Sequence, residues 1–585
     1  MLTLVPNTQT GTLTDHQQGT DDTLSGIDDA SNVLFGDAFA MDDHALGGND
    51  MLTGGSSNST DVSNTLYGDA FDMTDHASGG NDTLVGGSNL SNASTVSNFL
   101  FGDAFHMFDH ARGGADTLTG GDNASTGLFD SSTTTNTLYG DAFDMRDHAS
   151  GGNNTLTGGD DLSTGLLSNT SVTNTLYGDA NSMYDHAQGG NNALTGGSPG
   201  PHFIPGFGGS VSNTLYGDAG DMHDNARGGN DLLIGGRGSD VHSFDVTNTL
   251  AGDAGSMYDN TEGGNNTLIG GSLAINLLSG DAGSMHGNAR GGNNTLTGGD
   301  VADNVLDGDA GTMYDNTSGG DNTLIAGTSS SFRGGSNLLF GDAEFMYDNA
   351  RGGNNTLIGT AGIQNSLVGD AHEMHDNTQG GNNTLIAGAG GAIMVGDADA
   401  MFDHAIGGNN VLISGPGTDL MWGAAQMING MPASPTAPTG DVVIGADTFV
   451  FAPGNGNDSI FDFRQSDHDR IDVSAYGFHS IADMTISADA GNTKIAFDAN
   501  DSVTLVGISD PHSLHASDFL LVAPDQASAV ADKNGGANGD GYARQAMLLA
   551  QSIAGSFATP ANEGGNMVAN TEAQNPLLAA PHNQG

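Results

Sequence analysis

Residues 66–87 read LYGDAFDMTDHASGGNDTLVGG, and variants of this string recur twelve times along the 585-residue chain. With the glycine of each Gly-Asp taken as position 0, the anchors are Gly36, Gly68, Gly102, Gly140, Gly178, Gly217, Gly252, Gly280, Gly308, Gly341, Gly369 and Gly396. Every copy has Asp at +1, Met at +5, Gly-Gly at +11 and +12, and Leu at +16. Position +7 is Asp except in the eighth copy, where Gly287 stands; position +8 is His in six copies and Asn in six. Position −2 is Leu except for Met394 in the last copy. The spacing of anchors varies from 27 to 39 residues, yet the stretch from anchor to Leu never changes length. All insertions therefore leave at one place, ahead of the next Leu-x-Gly-Asp. A unit repeated in this way cannot bury its apolar side alone and must stack on its neighbours.

The local pattern says what stacks. NTLYGDA and NNTLIGG place one inward-type Leu between Thr and a β-branched or aromatic residue, with Gly or Asn at each end. Such runs are strands of four or five residues followed by tight turns. Strands this short do not form a free-standing sheet, so each must pair with its counterpart in the next copy. The expectation is an all-β fold: a parallel β-solenoid (β-roll or β-helix) of about twelve repeats, its core a ladder of Leu, Met and Leu. Insertions at a single corner favour one repeat of 27–28 residues per coil over a shorter 18-residue coil. The Met column reads as core filler.

Composition sets the chemistry. The chain has 94 Gly, no Cys, 12 basic against 70 acidic residues, and a formal charge of −58. There is no basic patch to contact phosphates, which excludes nucleic acid as a partner. No apolar stretch is long enough for a transmembrane helix. The opening MLTLVPNTQTGTLTDHQQGT has neither a basic nor an apolar segment, so no cleavable secretory signal is expected there. Without Cys there is neither a disulfide framework nor a thiolate metal site.

The two Asp columns are the informative feature. The first comprises Asp37, Asp69, Asp103, Asp141, Asp179, Asp218, Asp253, Asp281, Asp309, Asp342, Asp370 and Asp397. The second comprises Asp43, Asp75, Asp109, Asp147, Asp185, Asp224, Asp259, Asp315, Asp348, Asp376 and Asp403. Stacked coils bring equivalent residues to about 4.8 Å. Unit charges at that distance repel by about 1 kcal/mol in water and about 3.5 kcal/mol at an effective dielectric near 20. Eleven neighbouring pairs would then oppose folding by on the order of 10 to 40 kcal/mol, against a domain stability of about 5–15 kcal/mol. Cations between the coils reverse the sign. Carboxylates with backbone carbonyl and Asn oxygens form the ligand set of a hard cation, above all calcium. The competing reading is turn capping, since Asp and Asn bond their own backbone two residues on. The Asp-His pairs suggest a softer metal, but Asn replaces that His in half the copies, so the His reads as a polar turn residue.

At this point the residues resemble the haemolysin-type calcium-binding repeat (RTX) family, whose nonapeptide is G-G-x-G-x-D-x-U-x. The array is a shortened variant: Gly79-Gly80-Asn81-Asp82-Thr83-Leu84 lacks the internal x-Gly, and many copies have Asn for the Asp, as in Asn153-Asn154-Thr155-Leu156. Three segments match the full motif better, GGRGSDVHS at 235–243, SGPGTDLMW at 414–422 and PGNGNDSIF at 453–461. In the family the sixth-position Asp and glycine-turn carbonyls hold calcium between coils, which implies Asp240, Asp419 and Asp458 as ligands here. The stretch ADTFVFAPGNGNDSIFDFRQSDHDRIDVSAYGF (446–478), with NTKIAFDANDSVTLVGI and SDFLLV after it, resembles the C-terminal calcium-binding domain of serralysin-type proteins. That resemblance implies Asp447, Asp458, Asp462 and Asp469 as ligands, a cap on the solenoid, and an uncleaved C-terminal signal for type I secretion.

The expected organisation is a lead segment at 1–32, the solenoid at 33–432, the RTX/serralysin-like domain at 433–523 and an export tail at 524–585 with one short helix at 543–558. No H-E-x-x-H occurs, and no G-x-S-x-G elbow sits between a convincing strand and helix. The expected function is a secreted, extracellular protein that binds several calcium ions and acts as a structural or adhesive surface or matrix element. Its expected partners are calcium, surface polysaccharide or further copies of itself, and the type I secretion machinery. Two alternatives are an extracellular polysaccharide-active enzyme using paired Asp residues, and an ice-binding solenoid suggested by the TLT runs at 117–119, 155–157 and 295–297.

Overall fold

The computed structural model describes residues 11–522, apart from 166–167, 201–208, 240–244, 329–334 and 363–364. The expected C-terminal helix and export tail lie outside the described residues. Within them the chain is a parallel β-solenoid with one repeat per coil, as the single insertion corner implies.

Each coil contributes three strands. One is the expected Asn-x-Leu-x strand before Gly-Asp, for example Ser171–Tyr177. Another is the Thr-Leu-x strand, for example Thr155–Thr157. The third was not anticipated: Ala-x-x-Met is itself a strand, for example Ala142–Met145. Its two inward positions are Ala and Met, and the residues between vary from Phe to Gly, which leaves no alternating apolar pattern to read.

Like strands stack on like, in register and parallel: Leu138 on Leu176, Met145 on Met183, Leu156 on Leu194. The result is three long sheets, of 15 strands for Ala-x-x-Met and 16 for Thr-Leu-x, with the Asn-x-Leu-x sheet running from Asn32–Phe35 to Asn457–Ile460. Two cores fill the coil. The −2 and +16 leucines form one, and the +5 methionines with flanking alanines form the other. The Met column is fully buried along its length. Close stacking demands glycine: a Cβ at Gly80 would run into the carbonyl oxygen of Gly48 in the coil before.

Inside the insertion corner a single asparagine column ties the coils together. Asn64 Oδ1 accepts from Gly55 N–H at 3.0 Å and from Asn32 Nδ2 at 2.9 Å. Its Nδ2 donates to Gly55 O at 2.9 Å and to Asn98 Oδ1 at 2.8 Å. The same four-bond pattern recurs through Asn136, Asn174, Asn213, Asn248, Asn276 and Asn304. Every buried polar atom of these amides is satisfied, so the ladder specifies register as well as contributing stability.

The stack begins before the first anchor. Leu13 pairs with Met41 and Leu24 with Leu52, so TLTDHQQGTDDTLSG (12–26) forms part of one further coil. At the other end Leu420–Trp422 and Ala425–Ile428 continue two sheets without a Gly-Asp, since Gly423 is followed by Ala424. An antiparallel set, Thr485–Asp489, Asn492–Ala496 and Ser502–Leu505, pairs onto Asn457–Ile460. Phe449, Phe451 and Phe463 are buried there and close the Leu core. Among the described residues no helix is long and apolar enough to cross a membrane.

Candidate metal centre

The +1 aspartates sit at the corner between the Asn-x-Leu-x and Ala-x-x-Met strands, and all twelve are 1% exposed or less. Each accepts the N–H of its own +12 glycine: Gly48 to Asp37 Oδ2 at 2.6 Å, Gly80 to Asp69 Oδ2 at 3.0 Å, Gly353 to Asp342 Oδ1 at 2.7 Å. The backbone of the column is paired as well, with Asp37 N–H on Asp69 O and Asp69 N–H on Asp103 O, both at 3.0 Å. The twelve carboxylates thus line up in one buried file.

A second buried column faces it, one that the motif reading treated only as a departure from the family pattern. Position +14 is Asp in four copies, Asp50, Asp82, Asp116 and Asp231, and Asn in the other eight. Each +14 backbone N–H donates to Oδ1 of the +14 side chain in the next coil, as Asp50 does to Asp82 at 2.6 Å and Asn154 to Asn192 at 2.8 Å. The remaining side-chain atom depends on the residue. In Asn copies it is a donor: Asn154 Nδ2 gives hydrogen bonds to Asp141 Oδ2 and to the carbonyl of Gly178, each at 2.9 Å. In the four Asp copies it is an acceptor, and Oδ2 of Asp50, Asp82, Asp116 and Asp231 is buried without a partner. Gly36 shows how tight the place is, because a Cβ there would strike both Gly68 O and Asp50 Oδ2.

Three groups bring carboxylate oxygens within 4.8 Å of one another: Asp37–Asp50–Asp69, Asp103–Asp116–Asp141 and Asp218–Asp231–Asp253. Each joins the +1 aspartates of two coils with the +14 aspartate between them. One oxygen each of Asp309, Asp342, Asp370 and Asp397 is also buried without a partner. Burial pushes these carboxyls up, Asp50 to about 7 and Asp82 to about 8, with neighbouring carboxylates adding to the shift. Asp103, Asp116, Asp218 and Asp231 are driven well above the usual range, burial again being the main cause. Asp342 reaches only about 6, since the Asn355 amide and the Gly353 N–H oppose the effect of burial. Buried anions with unpartnered oxygens require either protons or cations. The groups can hold a metal ion through oxygen ligands from successive coils.

The +7 aspartates are not brought into these groups. They are exposed at a turn and adopt left-handed backbone, with φ of 57° at Asp43 and 60° at Asp147. Gly287 keeps that conformation at 71° in the eighth copy. Asp and Gly are among the few residues that tolerate it readily. Their +8 neighbours, His or Asn, are exposed beside them.

Of the family-implied ligands, Asp240 lies outside the described residues. Asp419 is buried, accepting from Ala392 N–H at 2.7 Å, Gly415 N–H at 2.9 Å and Ser414 Oγ at 3.0 Å. Asp458 accepts from Asp419 N–H and Ser414 Oγ, both at 2.9 Å. Asp462 takes Gly423 N–H at 2.7 Å and Asp469 takes Arg464 N–H at 2.7 Å. Asp447 extends the +14 column: its carboxylate accepts from Asn410 N–H at 2.8 Å, and its backbone N–H donates to Asp469 Oδ1 at 3.0 Å. The signal for the +14 column was present in the sequence, as an Asp/Asn exchange at a place where +1 never varies.

The fold and the site define a parallel β-solenoid with two facing columns of buried carboxylate and carboxamide side chains. Comparisons with protein-family models, with curated proteins and with solved structures find no match to the chain.

Proposed function

We propose that the chain is a secreted calcium-binding solenoid that folds on calcium outside the cell and serves there as a structural or adhesive surface or matrix element. The observation that carries this reading is the +14 exchange. Where the residue is Asn, the amide donates to the +1 carboxylate, as Asn154 does to Asp141; where it is Asp, a buried, unpartnered oxygen faces the same carboxylates. A hard divalent ion takes six to eight oxygen ligands, and carboxylates of two coils with nearby carbonyls are ligands of that kind. Calcium bound at Asp37–Asp50–Asp69, Asp103–Asp116–Asp141 and Asp218–Asp231–Asp253 would, at each of these three places, join one coil to the next. An ion that binds only the folded form stabilises it by about 2.7 kcal/mol per site at a hundredfold excess over its dissociation constant. Extracellular modules bind calcium at about 10⁻⁴–10⁻³ M, a level met outside cells rather than in the cytosol. The formal charge of −58 points the same way, since a chain so acidic resists compaction until it is neutralised.

The test is circular dichroism of the chelated chain titrated with calcium and, separately, magnesium. The reading requires strand signal to rise with calcium at millimolar or lower concentration and to fall again with chelator. A chelated chain as ordered and as heat-resistant as the loaded one would remove the basis for calcium-dependent folding.

A further inference from the structure

The first half of the solenoid carries a row of six exposed imidazoles at +8: His16, His44, His76, His110, His148 and His186. Their ring centroids follow one another at 4.8, 4.9, 5.0, 5.0 and 5.1 Å. From His44 onward the planes are within 3–6° of parallel, whereas His16 is turned 60° from His44. Backbone bonds fix the spacing: from His76 to His186 each His N–H donates to the +7 carbonyl of the coil before, as His76 does to Asp43 at 2.8 Å and His148 to Asp109 at 2.7 Å.

The second half supplies an internal control. In the sixth to eleventh copies +8 is Asn (His returns only at His404), and the amides bond rung to rung: Asn288 to Asn260 at 3.0 Å, Asn349 to Asn316 at 3.2 Å. The turn therefore forms without imidazole. Among the described residues no ring nitrogen of the six histidines has a hydrogen-bond partner, while the rings of His106, His372, His375 and His479 do. Six unpartnered imidazoles in an unbroken file, where asparagine meets the structural need, carry a capacity that the turn does not use.

We propose that this row is a second metal site, specific for borderline divalent ions such as zinc, nickel or copper and separate from the oxygen sites inside the coil. Imidazole suits those ions and hard calcium does not compete for it. A metal–nitrogen bond is about 2.0–2.1 Å, so one ion joins two nitrogens roughly 3–4 Å apart. The lone pair of each nitrogen lies in its ring plane, so two neighbouring exposed rings take one ion by rotating about χ1 and χ2 out of the parallel stack until both lone pairs converge on it. Water completes the coordination, and the ion binds a pair of adjacent rungs rather than a closed cage. The acidic surface concentrates cations around the row. Along the +10 column beside it stand Gln18, Leu46 and Ser78 in the first coils, and Arg112 enters only at the coil of His110.

The experiment uses the full chain saturated with calcium, titrated with copper(II) or nickel(II) at neutral pH. The comparison is the H44N/H76N/H110N/H148N variant, which leaves no two histidines of the row adjacent and places at each position the residue found in later coils. The wild type is expected to bind up to three more ions than the variant, with nitrogen splitting in the copper electron-paramagnetic-resonance spectrum that the variant loses. Circular dichroism should be the same for both. Equal stoichiometry, or a copper spectrum with oxygen ligands alone, overturns the proposal. Should the fourfold variant fold poorly, the single H76N change tests the same point, because it reduces the disjoint pairs from three to two and should remove one ion. Calcium is saturating throughout, so failure here leaves the calcium reading untouched.

Discussion

Asn154 donates its side-chain amide to Asp141 Oδ2 at 2.9 Å, whereas one coil earlier Asp116 presents an unpartnered oxygen at the equivalent place. The pair states the logic of the site: the amide brings its own hydrogens, and the carboxylate needs a proton or a metal. D116N should therefore stabilise the chelated protein by about 1.5–3 kcal/mol, the worth of a hydrogen bond to a charged group. It should also lower the calcium stoichiometry by one. N154D should do the reverse, adding a site and weakening the chelated fold. Thermal melts with and without chelator, together with equilibrium dialysis, check both.

Asp50 and Asp82 hold their protons to about pH 7 and 8 in the fold, burial being the main cause. In the unfolded chain an Asp releases its proton near pH 3.9. Between these values the folded state binds protons that the unfolded state has lost, so stability falls as pH rises through the window. The chelated protein should accordingly melt higher near pH 5 than at pH 8, the opposite of ordinary acid denaturation. Saturating calcium, which holds the carboxylates ionised, should flatten the profile. A chelated melting temperature that rises between pH 5 and 8 would contradict the buried, unpartnered state of these groups.

Asn174 sits mid-ladder, accepting from Gly159 N–H at 2.9 Å and Asn136 Nδ2 at 2.8 Å, and donating to Gly159 O at 3.0 Å and Asn213 Oδ1 at 2.9 Å. Asn174→Ala takes the amide partner from both the N–H and the C=O of Gly159 and breaks the ladder bonds to Asn136 and Asn213, all in a dry interior. At about 1–3 kcal/mol for each buried orphan, the loss should be at least about 3 kcal/mol by chemical denaturation in saturating calcium. Asn365, near the end of the ladder, accepts from Asn337 Nδ2 and donates to Thr360 O. Its change to Ala should cost less.

What could be read in advance follows from how each contact is encoded. The Leu and Met columns were legible because an invariant apolar residue at fixed spacing has no use except burial, and one insertion corner implied one repeat per coil. The Ala-x-x-Met strand was not legible, since Ala and Gly carry little strand signal and its pairing comes from stacking. The +1 aspartates and the +7 aspartates looked alike in sequence, being equally regular. Only the backbone separates them, turning Asp69 into the corner and Asp75 out at the tip of a left-handed turn. The +14 column was hidden for the opposite reason. Its Asp/Asn exchange read as loss of a motif, although Asp116 and Asn154 keep the same backbone-to-side-chain bond and differ only in what the last atom offers.

That separation of the columns gives a discriminating change at +7. Asp147 is exposed, with φ of 60°, and its carbonyl accepts His186 N–H at 2.8 Å. If its work is the turn, D147G keeps the left-handed backbone as Gly287 does, and leaves both calcium stoichiometry and melting temperature nearly unchanged. D147V meets the cost of a β-branched residue in that conformation, about 1–2 kcal/mol, and should lower the melting temperature in calcium and in chelator alike. If Asp147 is instead a ligand, as its spacing from Asp141 first implies, D147G removes calcium binding at that coil and lowers the melting temperature only in calcium. Stoichiometry by dialysis and paired melts of the two variants separate the roles, because the turn depends on the backbone angle and the ligand on the carboxylate.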